Sequence, residues 1–325
     1  MTTAAQHPIG SGFGAHTTAT EVLDGIDLGG RLAVVTGGYS GLGLEATRAL
    51  AGAGAHVVVP ARRPDAAKEA LDGLDGVETD ALDLGDQDSV AAFADRFLAS
   101  DRAIDMMIDN AGIMATPETR VGPGWEAQFG TNHLGHFALV NRLWPAIARG
   151  RDARVVSVSS RGHHRSPVRF DDLDWRAEPY DKWRAYGQSK TANILFALRL
   201  DTLGAPHGVR AFSLHPGGIM TPLQRHLERE EMVELGWIDA DGNPTPQAAA
   251  SFKTPEQGAA TEVWAATSPQ LAGRGGLYLE DCEVAEVVDG DASGRDGVRD
   301  YAVDPEAAAR LWAVSAERTG VDAFR

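Results

Sequence analysis

Apolar and polar positions along the chain fall into a repeated alternation. Short apolar runs at Leu32–Val35, His56–Val59, Val77–Leu82, Ile104–Ile108, Arg154–Ser159, Arg210–Leu214 and Leu277–Leu279 have the length and β-branched content of strands. Between them, Gly41–Gly52, Pro64–Leu71, Ser89–Leu98, a long region over about Trp125–Ala148, and Tyr186–Leu203 repeat their apolar residues at helical spacing. Strand and helix in turn predict an α/β fold: one doubly wound parallel sheet of about seven strands, a single Rossmann-type domain with helices on both faces. Residues 1–30 lack this pattern and read as an irregular arm with one short helix near Thr20–Leu23. Residues 31–290 form the main domain and 291–325 an acidic, helical extension. The alternation breaks over 222–255, long for a loop. Its apolar residues Leu223, Leu227, Met232, Val233, Leu235, Trp237, Ile238 and Phe252 predict a helical lid with an apolar inner wall, suited to a bulky hydrophobic substrate.

Composition narrows the class. With 43% hydrophobic residues the 325-residue chain can bury a large core. Its net charge of −16 is opposite to that of a nucleic-acid binder. No apolar run reaches the roughly 18 residues of a membrane span, and the first 30 residues show no basic-then-apolar leader. Cys282 is the only cysteine, which fits a reducing cytoplasm. Ten of the acids fall within 280–306 against Arg295 and Arg299, half the net charge in 27 residues. That stretch reads as an exposed tail whose carboxylates disfavour a Cys282 thiolate.

The first strand runs into Thr36-Gly37-Gly38-Tyr39-Ser40-Gly41-Leu42-Gly43 and then a helix. Such a turn lets backbone approach a pyrophosphate at a helix N-terminus, making Gly37, Tyr39, Ser40, Gly41, Leu42 and Gly43 candidate dinucleotide contacts. The second strand ends in Arg62-Arg63, where an acid would bond a ribose 2′-hydroxyl. Two guanidiniums there favour a 2′-phosphate, hence NADP(H), with NAD(H) as the alternative. Asp83 and Leu84 follow the third strand as candidate adenine contacts. His133 and His136, and the pair His163-His164, lack the further ligands a metal needs and read as ordinary histidines.

Tyr186 and Lys190 stand at i and i+4, on one helix face. An ammonium there, together with an oxidised nicotinamide, would lower the tyrosine pKa and suit proton transfer. Together with Asn110-Ala111-Gly112, Ser160 and Pro216-Gly217, these motifs come in the order of the short-chain dehydrogenase/reductase family, which the chain resembles over about residues 30–280. Thr131-Asn132-His133-Leu134-Gly135-His136-Phe137, Tyr186 to Asn193, His215 to Gly218, and the arm Phe13–Gly30 resemble its retinol-dehydrogenase and WW-domain-oxidoreductase branch.

The resemblance implies roles. Tyr186 would exchange a proton with a carbonyl or alcohol, and Lys190 would bind the nicotinamide ribose and lower the tyrosine pKa. Ser160, rather than Ser159, would hold the substrate oxygen, and Asn132 a water of the proton relay. Asn110, Ala111, Gly112, Pro216, Gly217, Ile219 and Thr221 would contact the cofactor. The family often has Asn where Asp109 stands. No hydrophobic anchor or WW segment is evident, so a membrane partner is not expected. A small-molecule carbonyl or alcohol substrate and a homo-oligomer are. Two rivals remain: an NAD-dependent alcohol dehydrogenase of the same fold, and a catalytically silent dinucleotide sensor.

Overall fold

The computed structural model describes residues 6–289 and 296–325. Seven parallel strands form the sheet: β1 (Leu32–Val35), β2 (His56–Ala61), β3 (Val77–Ala81), β4 (Met106–Asp109), β5 (Arg154–Val158), β6 (Arg210–His215) and β7 (Leu277–Glu280). A short antiparallel β8 (Glu283–Val284) closes one edge, giving the order β8-β7-β6-β5-β4-β1-β2-β3. This is the doubly wound sheet that the alternation predicts. Residues adjacent along a strand go to opposite faces. Val35, Val57, Ile108, Val156 and Phe212 pack on one side with Leu50 and Trp264, from helices α1 (Gly41–Gly52) and α6 (Ala260–Thr267). Val34, Val58, Met107, Val155 and Ala211 pack on the other with Phe93, Phe137 and Phe196, from α3 (Gln87–Ala99), α4 (Gly135–Ile147) and α5 (Lys182–Gly204). Helix α2 (Pro64–Ala70) joins β2 to β3. Each such side chain contributes about 1.5–3 kcal/mol by leaving water.

Three expectations need correction. The long helix over Trp125–Ala148 begins later. Trp125–Glu126 pairs antiparallel with Arg120–Val121, through a turn in which Gly122 and Gly124 take positive φ. The Glu126 carboxylate then accepts from Gln128 N and Phe129 N, a single helical turn follows, and a π-helical turn, Gly130–Leu134, leads into α4. The acidic stretch, for its part, exposes most of its described carboxylates but is folded rather than a free tail. Glu283 accepts from Ile9 N and Ser11 N and so ties the arm to β8. Val287–Val288 pairs with Val298–Arg299. Helix α7 (Pro305–Thr319), capped by Asp304, sets Trp312 among Phe137, Phe196 and Phe324. Asp291 and Arg295 lie outside the described residues. Last, Cys282 is buried beside Thr261, and burial rather than neighbouring acid is the main force raising its thiol to about 11.

The arm carries one helical turn, Ala19–Val22, with a Thr18–Glu21 capping box, close to the predicted Thr20–Leu23. In α6, Glu262 is fully buried and neither carboxyl oxygen has a hydrogen-bond partner. Burial raises its pKa to about 8 from 4.5. Between those values the folded chain holds a proton that the unfolded chain has released, so this group's stabilising contribution falls as pH rises. Glu262→Gln should therefore flatten the decline of melting temperature between about pH 5 and pH 8. Thermal denaturation followed by circular dichroism at both pH values checks this, and an unchanged slope would count against it.

Candidate active site

The chain winds outward from β1 to β3, returns to β4 beside β1, and continues the other way. Such a reversal opens a crevice at the carboxyl ends of the strands. Here it is a cleft of about 500 Å³, and the strand ends deliver the candidate residues into it. Gly37, Tyr39, Ser40, Gly41 and Leu42 come from the end of β1, and Arg62 and Arg63 from β2. Asp83 and Leu84 follow β3, Asn110, Ala111 and Gly112 follow β4, and Ser160 follows β5. Pro216, Gly217, Ile219 and Thr221 come from β6. Tyr186 and Lys190 enter from α5.

Gly43 and Asn132 stand behind the lining. A β-carbon on Gly43 would lie 2.4 Å from Asn110 Nδ2 and 2.6 Å from Gly37 O. Asn110 in turn donates to Thr36 O at 2.9 Å, so turn and β4 loop are locked together. Asn132 sits in the π-helical turn. Its amide bonds both backbone groups of Ile113 and the Ser189 hydroxyl, each at 2.9 Å. Its main-chain carbonyl accepts from His136 Nδ1, which must therefore carry the proton. Burial holds His136 at a pKa of about 4, hence neutral, so Nε2 accepts from the Thr36 hydroxyl. Thr36 Oγ1 also accepts from Ala111 N. His136 thus joins the glycine turn to the Asn132 turn, a link the sequence reading missed.

Of the two serines, Ser159 is buried and donates to Lys190 O at 2.7 Å, anchoring α5. Ser160 points into the cleft, accepts from Gly162 N at 3.0 Å, and its hydroxyl lies beside Tyr186, whose pKa it lowers. Lys190 Nζ donates to Val158 O at 2.8 Å and stands 5.7 Å from the centre of the Tyr186 ring. The protein by itself does not depress the tyrosine as expected. Burial raises Tyr186 to about 12, outweighing the Ser160 hydroxyl, and burial lowers Lys190 to about 7. The enclosed site disfavours charge on either group.

The wall beyond Tyr186 is apolar: Met114 and Leu227 are buried against it, with Trp183, Leu223 and Trp237 alongside. Glu231 of the 222–255 segment binds Lys182 Nζ and Trp183 Nε1 at the start of α5. At the far end Lys253 N donates to Gly218 O at 2.8 Å. That segment also brings Arg225 to the lining. Among the described residues, no cluster of His, Cys, Asp or Glu is placed to hold a metal, and no helix is long and apolar enough to cross a membrane.

The glycine turn passes a fit test for a nicotinamide dinucleotide. Gly37 has φ +67°, and a β-carbon there would press on Ala111 and Asn110 at 3.2 Å. Side chains are kept out where a pyrophosphate would approach backbone.

Comparison with known proteins agrees with this geometry. Residues 31–172 match the short chain dehydrogenase family model. The chain is 46% identical over 307 residues to a "Probable oxidoreductase" of Streptomyces antibioticus, covering 92% of this chain and 99% of that one. It is 37% identical to "Short-chain dehydrogenase/reductase prx1" of Penicillium roqueforti, over 93% of this chain and 89% of the relative. Against "Retinol dehydrogenase 11" of Mus musculus it is 34% identical, covering 91% and 88%. The crystal structure of an uncharacterized protein from Mycobacterium Paratuberculosis superposes with a TM-score of 0.69 at 34% identity, covering 92% and 96%.

Proposed function

The chain belongs to the short-chain dehydrogenase/reductase family, in its retinol-dehydrogenase-like branch, and on that premise we propose that it is an NADP(H)-dependent enzyme interconverting a carbonyl and an alcohol. The observation that carries this reading is the hydroxyl pair Ser160–Tyr186, with Lys190 one helical turn on, in the same cleft as the glycine turn and the arginine pair. When bound, the nicotinamide supplies or accepts a hydride. Everything else falls to the protein. The turn from Gly37 to Gly43, with Asn110, Ala111 and Gly112, binds the pyrophosphate side, and Asp83 and Leu84 the adenine. Pro216, Gly217, Ile219 and Thr221 frame the nicotinamide end.

Ser160 donates to the substrate oxygen and fixes its place beside Tyr186. Tyr186, neutral at its raised pKa, gives its proton to that oxygen as negative charge develops there, a transition-state interaction. Lys190 stabilises the phenolate left behind. The Asn132 amide is spent on Ile113 and Ser189, so its carbonyl's remaining lone pair holds the relay water. The apolar wall of Met114, Leu223, Leu227 and Trp237 suits a bulky hydrophobic substrate and excludes water from the reacting oxygen. A cytoplasmic location and a homo-oligomer complete the proposal. Light scattering on the purified chain tests the oligomer.

Arg62 and Arg63, exposed at the end of β2, take the 2′-phosphate. Arg62→Ala should raise the KM for NADPH about tenfold, as expected for loss of a charge-assisted contact, and leave that for NADH nearly unchanged. Steady-state kinetics with both cofactors, on a panel of bulky ketones, aldehydes and secondary alcohols, measures it. A wild-type preference for NADH would instead favour the NAD-dependent rival.

A further inference from the structure

The chain leaving β6 crosses over the glycine turn before it reaches the substrate wall. A β-carbon on Gly41 would lie 3.5 Å from Thr221 Cβ and Cγ2. Thr221 then caps the single turn Pro222–Gln224. The Gln224 carboxamide accepts from Thr221 N at 2.8 Å and donates to Ile219 O at 2.7 Å. This short, internally tied turn ends at Arg225 and holds it on the cleft that Tyr39, Arg62 and Arg63 also line.

Many arginines of the molecule are paired with acids, whereas others, Arg161 and Arg165 of the same cleft among them, have no carboxylate within ion-pair distance among the described residues. Arg96 pairs with Asp80, Arg102 with Glu78, Arg149 with Asp101 and Arg318 with Asp174. Among the described residues no carboxylate lies within ion-pair distance of Arg62, Arg63 or Arg225. Among the described residues the Arg225 guanidinium donates to the Pro222 carbonyl, at 3.0 Å. The Arg225 pKa is lowered, first by partial burial and next by the charge of Arg62, so the two guanidiniums feel one another. Like charges brought together with no acid between them repel, and an anion placed among them turns that repulsion into attraction.

We infer that Arg225 is a third cationic contact to the cofactor's 2′-phosphate, reaching it from the substrate segment while Arg62 and Arg63 reach it from the end of β2. The inference rests on the NADP(H) reading above and adds a consequence to it. The turn that carries Arg225 also carries Leu223, and Leu227 follows two residues later, both on the apolar substrate wall. A phosphate gripped by both elements fastens that wall over the active site. The 2′-phosphate then does more than select the cofactor, because it orders the substrate pocket. A cofactor without it binds with the segment left unfastened.

The test compares wild type, Arg225→Gln and Arg62→Ala. Dissociation constants for NADPH and NADH come from nicotinamide fluorescence, and those for 2′,5′-ADP and 5′-AMP from calorimetry. Hydrogen exchange over 222–237 is followed with each cofactor. Arg225 is exposed, so its replacement leaves the fold in place. Arg225→Gln should weaken NADPH and 2′,5′-ADP about tenfold while changing NADH and 5′-AMP less than about twofold. NADPH, but not NADH, should protect 222–237 in the wild type, and the variant should lose that protection. Equal weakening of both cofactors, or of neither, overturns the inference. So does a loss confined to substrate KM, which would assign the anion to the substrate. An intact Arg62→Ala effect beside a silent Arg225→Gln overturns the segment's part alone. If Arg62→Ala also leaves the NADPH/NADH ratio unchanged, the parent reading fails with it.

Discussion

Tyr186→Phe should lower turnover by about 10²–10⁴-fold, the usual worth of a positioned general acid, while NADPH still binds. The ring is held by packing that phenylalanine can reproduce. It is buried with Met114 and Leu227, and its Cε1 edge fills the space where a β-carbon on Gly162 would come within 2.7 Å. What phenylalanine lacks is the hydroxyl that stands in the cleft beside Ser160. Burial keeps that hydroxyl protonated up to about pH 12, so it is loaded as an acid throughout the neutral range. Carbonyl reduction should therefore vary little with pH near neutrality. Alcohol oxidation, which needs the phenolate, should climb as the medium becomes alkaline. Single-turnover kinetics in both directions, with cofactor affinity measured on the same variant, provides the check. Robust turnover by Tyr186→Phe would remove Tyr186 from the mechanism. An oxidation rate that falls with rising pH would remove the phenolate.

What could be read along the chain is what depends on neighbours in sequence. Most of the seven parallel strands follow from short apolar runs, while β3, Val-Glu-Thr-Asp-Ala, is an edge strand with no buried residue. The i and i+4 spacing of Tyr186 and Lys190 fixes a shared helix face whatever the rest of the molecule does. The glycine turn is likewise local. What could not be read depends on partners far away. Trp125–Glu126 has helical neighbours, yet it pairs with Arg120–Val121 because Gly122 and Gly124 permit the reversal and Glu126 caps the helix that follows. The acids at 280–306 look like a solvated tail until Glu283 is seen holding Ile9 and Ser11, more than 270 residues earlier. His136 is one more apolar-face histidine in sequence, and only the fold sets it between Thr36 and Asn132. Arg225 is one charge among several in its segment. Its place in the cleft that Arg62 also lines arises from the crossing of Thr221 over Gly41, which no local pattern announces.

Gly43→Ala should cost dinucleotide affinity by about 10- to 100-fold, for NADPH and NADH alike. Added bulk in a packed site costs roughly 1–3 kcal/mol before any ligand is considered. Here the new methyl would meet two atoms at once, Asn110 Nδ2 at 2.4 Å and Gly37 O at 2.6 Å. Neither can yield cheaply. Asn110 is held by Thr36 O, and Gly37 stands at φ +67°, where even a β-carbon of its own would meet Ala111 at 3.2 Å. Relief requires the turn to move off the β4 loop, and that separation dismantles both halves of the pyrophosphate cradle together. The loss should be the same for the two cofactors, because the strain lies under the shared pyrophosphate and not at the 2′-position read by Arg62. Isothermal titration with each cofactor, alongside melting temperature, tests this. A variant that folds and binds NADH normally but loses NADPH would move the pyrophosphate away from this turn. Wild-type affinity for both would show that the turn does not carry the dinucleotide at all.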